Sequence, residues 1–93
     1  HDALPIFPQK NKYVEFLQRA ENVVEREKYV KSKLLFNEAE EMIRDKDSEK
    51  AMKLLEEAFR LNPNDANIAN NIGSLYFARK DFPNAYRFFE KAV

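Results

Sequence analysis

The feature that most narrows the folds open to this 93-residue chain is a spacing of 34 residues. Ala51, Leu55 and Ala58 stand 34 positions before Ala85, Phe89 and Ala92; Ala39 stands as far before Gly73, and Met42 before Tyr76. Small and large apolar residues recurring in one register mark a structural repeat. Each unit of such a chain buries its apolar face by stacking on its neighbour. Gly73 is the only glycine, and it lies inside an apolar helical pattern rather than in a turn. A glycine there costs about 1 kcal/mol against alanine, which close approach of another helix would offset. Ala78, Ala85 and Ala92 read as further small residues along the same crossing.

Helix boundaries within the period follow from capping chemistry. A helix is expected from Leu34 to about Lys46. Asp47 or Ser48 then caps a second, because a short polar side chain accepts from orphan amides one turn in. That helix carries Ala51, Met52, Leu54, Leu55, Ala58, Phe59 and Leu61 and ends before Asn62-Pro63-Asn64-Asp65. Pro63 biases Asn62 away from helical angles, and Asp65 can cap a third helix. Asp81 caps the last, where Pro83 is tolerated in the first turn. The connections are short, so neighbouring helices run antiparallel.

These residues resemble the tetratricopeptide repeat, whose pattern runs W-x2-L-G-x2-Y, then A-x3-F, then A-x4-P. The second unit, 66–93, supplies Ile72-Gly73, Tyr76, Ala85, Phe89 and Ala92. The first, 32–65, supplies Ala39, Met42, Ala51, Leu55, Ala58 and the closing Pro63. Leu35 and Ala69 stand where the family carries tryptophan, and Glu38 stands where Ile72 does, so the first unit is the looser match. The resemblance implies an all-α, right-handed helix-pair solenoid of about two units, preceded by an extra helix.

That preceding segment, 7–31, reads as helix on its own evidence. Tyr13, Phe16, Leu17, Ala20, Val23 and Val24 recur at spacings of three and four, one apolar stripe. Glu15 with Arg19 and Glu27 with Lys31 are placed for i,i+4 ion pairs. The stripe fades across Glu25-Arg26-Glu27-Lys28 and resumes, rotated, at Leu34-Leu35. One long bent helix and two helices meeting near Ser32 both fit. The opening residues His1–Ile6 read as the translation of a sequencing adapter, whose frame gives Ala-Leu-Pro-Ile, and are set apart from the fold. Val93 stops short of the proline that would close the second unit, so a fragment of a longer protein is expected.

Composition removes several functional classes. Sixteen basic and sixteen acidic residues cancel, leaving no net field to draw nucleic acid or an anionic membrane. The chain has no cysteine, hence no disulfide framework or thiolate chemistry, and its redox compartment stays open. No apolar run approaches the roughly 20 residues of a membrane span. His1 is the only histidine and falls in the excluded segment, so neither a zinc site nor a nucleophile–imidazole pair has material. Glu40-Glu41 and Glu56-Glu57 are adjacent carboxylates, but neighbours on a helix point about 100° apart and do not converge on one atom. A solvated face is the plainer reading. One glycine makes no phosphate loop. Phe59, Tyr76, Phe82, Phe88 and Phe89 are spaced as core rather than as a base-stacking platform. No catalytic residue, metal or cofactor is expected.

What remains is a surface. The resemblance implies that the first helix of each unit lines a concave groove, in which an asparagine before the L-G pair holds the backbone of an extended peptide. That residue is Asn37 in unit one and Asn71 in unit two, and an amide suits a peptide group whatever its side chain. Lys33, Glu40, Arg44, Asn67, Asn70 and Ser74 would face the same groove. The competing reading is a merely wet polar face. The family's carboxylate-clamp variety fits poorly, since Phe36 and Glu40 occupy its lysine and asparagine positions. The expected function is a protein-interaction scaffold binding a peptide or partner protein. The rival is structural: the repeat face and the 10–33 helix, or the uncapped last repeat, serve self-association, or they dock the array onto a neighbouring domain of the parent protein. A third reading makes this an accessory region of an enzyme whose active site lies elsewhere.

Overall fold

A computed structural model describes residues 6–93, so the expectation for His1–Ile6 lies outside the described residues except for Ile6. The described residues form four helices: α1 (Ile6–Arg44), α2 (Ser48–Leu61), α3 (Ala66–Ala78) and α4 (Phe82–Lys91). α1 packs along α2, α2 on α3, and α3 on α4. The two readings of the N-terminal half resolve to one continuous helix of 39 residues, so the extra helix is the first part of α1. This arm stretches the molecule to 65 × 25 × 17 Å.

Each break in the chain has a local cause, and two of the breaks are copies. After α1, Lys46 takes a left-handed φ of 64°, and 34 residues later Lys80 takes 63°. In both turns the next amide reaches back over the helix end: Asp47 N–H donates to Met42 O at 2.8 Å and Asp81 N–H to Tyr76 O at 2.9 Å. This is the Schellman closure of a helix C-terminus, with lysine where glycine is usual. The aspartates then cap the following helices. Asp47 Oδ1 accepts from Lys50 N–H at 3.2 Å, and Asp81 Oδ1 from Asn84 N–H at 3.4 Å. Asp65 caps α3 through Asn67 N–H (2.9 Å) and Ile68 N–H (3.4 Å).

The core lies where the helix pairs meet: Ala39, Ala51, Met52, Leu55, Ala58, Ile68, Ile72 and Leu75, backed by half-buried Leu35, Met42 and Leu54. An aromatic cluster joins the units, with the Phe88 ring 5.5 Å from Phe59, edge to face, and 5.8 Å from Tyr76, stacked. Such pairs add about 0.5–1.5 kcal/mol beyond the area they bury. Gly73 has the role its context required. A Cβ there would lie 2.7 Å from two ring atoms of Phe89 and 3.2 Å from the Ala85 carbonyl oxygen, so α4 crosses α3 at the glycine. Ser32 is fully buried, and its hydroxyl donates to Tyr29 O at 2.8 Å, leaving no orphan.

Three expectations need correction. Phe82 is not core: it is exposed and stacks edge to face on exposed Phe77. Ala78 is exposed at the end of α3, beyond the crossing with α4. Neither Glu15–Arg19 nor Glu27–Lys31 closes among the described residues; on this solvated arm Glu25 and Lys28 pair instead, at 3.6 Å. Pairs so exposed gain little in water, so rotamer freedom wins.

Candidate functional site

The expected groove residues fall on two helical faces. On α1, Lys33, Asn37, Glu40 and Arg44 follow one another at four, three and four residues; on α3, Asn67, Asn70, Asn71 and Ser74 are spaced likewise within two turns. Residues so spaced share a helix face. α1 and α3 are the first helices of the two pairs, and α2 packs against both, which holds the two faces side by side.

Between them a cleft of about 340 Å³ opens, lined by Glu40, Ile43 and Arg44 from α1 and by Asn71, Ser74 and Leu75 from α3. Four of the eight expected residues meet there: Glu40, Arg44, Asn71 and Ser74. Asn37, Asn67 and Asn70 are exposed outside this lining. Lys33 marks the other end of the face. Its Nζ lies 3.8 Å from Asp65 Oδ2, the carboxylate that caps α3, and 5.6 Å from the Tyr29 ring centroid. This pair ties α1 to the start of α3, so Lys33 has a structural partner.

The sequence reading missed Ile43 and Leu75. Leu75 is nearly buried and forms the apolar floor, while Ile43 sits half-open at the rim. Both were within reach of the pattern, because Ile43 follows Glu40 by three residues and Leu75 follows Asn71 by four, spacings that keep a helix face. Neither Glu40 nor Arg44 joins an ion pair among the described residues. The cleft therefore offers an apolar floor, one anionic acceptor, one guanidinium with five N–H donors, and an amide and a hydroxyl that both donate and accept. That set suits hydrogen bonding to a polar ligand beside an apolar seat. Among the described residues no group of three side chains could hold a metal ion.

Among the described residues, the two groups held away from their usual pKa lie off the groove, on α2. Two hydrogen bonds from Arg60, at 3.0 and 2.6 Å, hold the Glu57 carboxyl below the usual range and raise the guanidinium in turn. Both groups are solvent-exposed, so the pair is a surface clasp within one helix and not a poised acid or base. No helix among the described residues is long and apolar enough to cross a membrane.

Four antiparallel helices stacked in pairs, with the first helices on one side, define a helix-pair solenoid. The family model for the tetratricopeptide repeat matches residues 32–65. The match is to a family whose repeats generally serve as scaffolds for protein–protein interaction. No curated protein and no solved structure gives a significant match.

Proposed function

We propose that the α1–α3 face binds an extended peptide segment of a partner protein. The cleft seats one apolar side chain of that segment over Leu75, beside Ile43. The Asn71 amide engages the adjoining peptide group, and Asn37, further along α1, engages the backbone again. Arg44 and Glu40 then select against like charges at the flanking positions. The observation that carries this reading is the convergence of Glu40, Arg44, Asn71 and Ser74 on a single cleft with an apolar floor. A merely wet face would have no reason to combine an apolar seat with unpaired hydrogen-bonding groups.

The test uses peptides selected from a displayed random library on the intact chain. Each lost hydrogen bond costs about 0.5–1.5 kcal/mol, so the Asn37→Ala/Asn71→Ala double variant binds at least tenfold more weakly by fluorescence anisotropy. Asn84 is unsuitable as a control although it lies off the groove. Its Nδ2 donates to Asp81 Oδ2 at 2.8 Å and its Oδ1 accepts from Arg87 at 2.7 Å, so it belongs to the α4 cap. Exposed Asn22 on the arm serves instead. Unchanged affinity in the double variant would remove the groove from consideration.

A further inference from the structure

The arm of α1 carries a large apolar surface that no other element covers. From residue 11 to residue 31 every side chain is exposed. Phe16 is 62% exposed, Leu34 is 63% exposed, and Tyr13, Leu17, Val23, Val24 and Val30 lie between 40% and 61%. Side chains of this size at about half exposure form a patch on the order of 600 Å², the upper end for a monomer. A partner in a standard interface contributes about 800 Å². Helices without tertiary packing are moreover marginal in water.

We infer that the arm pairs with the arm of a second copy of this chain, as a parallel two-stranded coiled coil running from Tyr13 to Leu34. Tyr13, Phe16, Ala20, Val23, Glu27, Val30 and Leu34 alternate three and four residues apart, the a/d seam of a coiled coil over three heptads. The repeat body leaves this seam clear. Ser32, buried against the body, and Leu34, on the seam, are two residues apart and so about 200° around the helix.

Charge decides the orientation. Lys12, Arg19, Arg26 and Lys33 recur every seven residues along one edge of the seam. An antiparallel pair would set this basic row against the same row of the second copy. A parallel pair sets it beside Leu17, Val24 and Lys31 instead, where the Arg19 stem can cover Val24. Glu27, the one charged seam residue, then faces its own counterpart, and Arg26 of each copy flanks the other's carboxylate and offsets that meeting of like charges.

Sedimentation equilibrium of the chain in the micromolar range reads the outcome. A dimer is expected, and Phe16→Glu/Val23→Glu weakens it at least tenfold while the repeat body stays folded, since both residues are exposed on the arm. The chain has no cysteine, so Val30→Cys supplies a lone reporter thiol. In the parallel pair it meets its counterpart and cross-links under mild oxidation. In an antiparallel pair it faces Tyr13, roughly 25 Å from its counterpart, and does not. A monomer, a dimer that survives the double variant, or a Val30→Cys chain that stays uncross-linked each overturns the inference. Survival of the dimer combined with its loss in Tyr86→Glu would locate it on α4.

Discussion

The two units, 32–65 and 66–93, spell the same repeat in different chemistry, and the places where they differ follow their neighbours. Positions facing the partner helix of the same pair match: Ala39 and Gly73 are both buried, Ala51 and Ala85 are both buried, and Met42 and Tyr76 are both half-buried. Positions facing the adjacent unit do not. Met52 is 5% exposed where its counterpart Tyr86 is 64% exposed. Ile72 is buried where Glu38 is open, and Ile68 is buried where Leu34 is open. α2 and α3 share an interface with each other, whereas the equivalent faces of α4 and α1 meet no third unit among the described residues. A residue's burial in such a fold is therefore set less by its own unit than by what stacks on it, as expected for a nearly one-dimensional array.

The sharpest way to break that comparison is to truncate equivalent positions and measure stability by denaturant unfolding. Met52→Ala removes a buried side chain at the unit interface and costs about 2–5 kcal/mol. Tyr86→Ala, 34 residues on, costs within about 0.5 kcal/mol, the usual range for an exposed substitution. Equal losses would mean that the α4 face is covered in solution.

Within each pair the units should instead respond alike. Gly73→Leu and Ala39→Leu each overpack a helix crossing and cost roughly 1–3 kcal/mol. Asn70→Leu, exposed on α3, costs much less. Gly73→Ala sharpens this further. Ala39 already carries a Cβ at the equivalent place, but at residue 73 that atom would meet the Phe89 ring at 2.7 Å. The Phe89 ring must move to admit it. A series in which Asn70→Leu proved the worst would overturn the register of the repeat.

How far the sequence alone foretold this molecule differs between its regions for the same reason. The period of 34 set the helix pairs, and the caps at Asp47, Asp65 and Asp81 were legible because capping is local chemistry. The crossing at Gly73 was legible because one glycine in a helix has few other uses. What depended on tertiary context was not legible. Phe82 has the composition of core but projects from the first turn of α4, where it meets only the exposed ring of Phe77. Continuity of α1 through Ser32 was open because the stripe rotates there, from the free seam of the arm to the face that meets α2. In the groove, helical spacing picks out the polar residues, while nothing in the sequence separates Ile43 and Leu75 from ordinary apolar residues. An apolar floor looks like core until a cleft opens above it.

The smallest expected effect lies in the turns that both units share. Lys46 and Lys80 hold φ near +64° and +63°, a conformation that costs a residue with a Cβ roughly 1–2 kcal/mol and glycine almost nothing. Glycine at either position relieves that strain, though it also gives the unfolded chain more freedom to lose. The net expected gain is about 0.5–1 kcal/mol for Lys46→Gly and the same for Lys80→Gly. Both lysines are exposed, so no buried contact is lost with the side chain. The two turns share no partner, so the gains should add in the double variant. A gain at Lys80 alone would mean that the first turn is held by something other than its backbone closure, and that the units are less alike there than their hydrogen bonds imply.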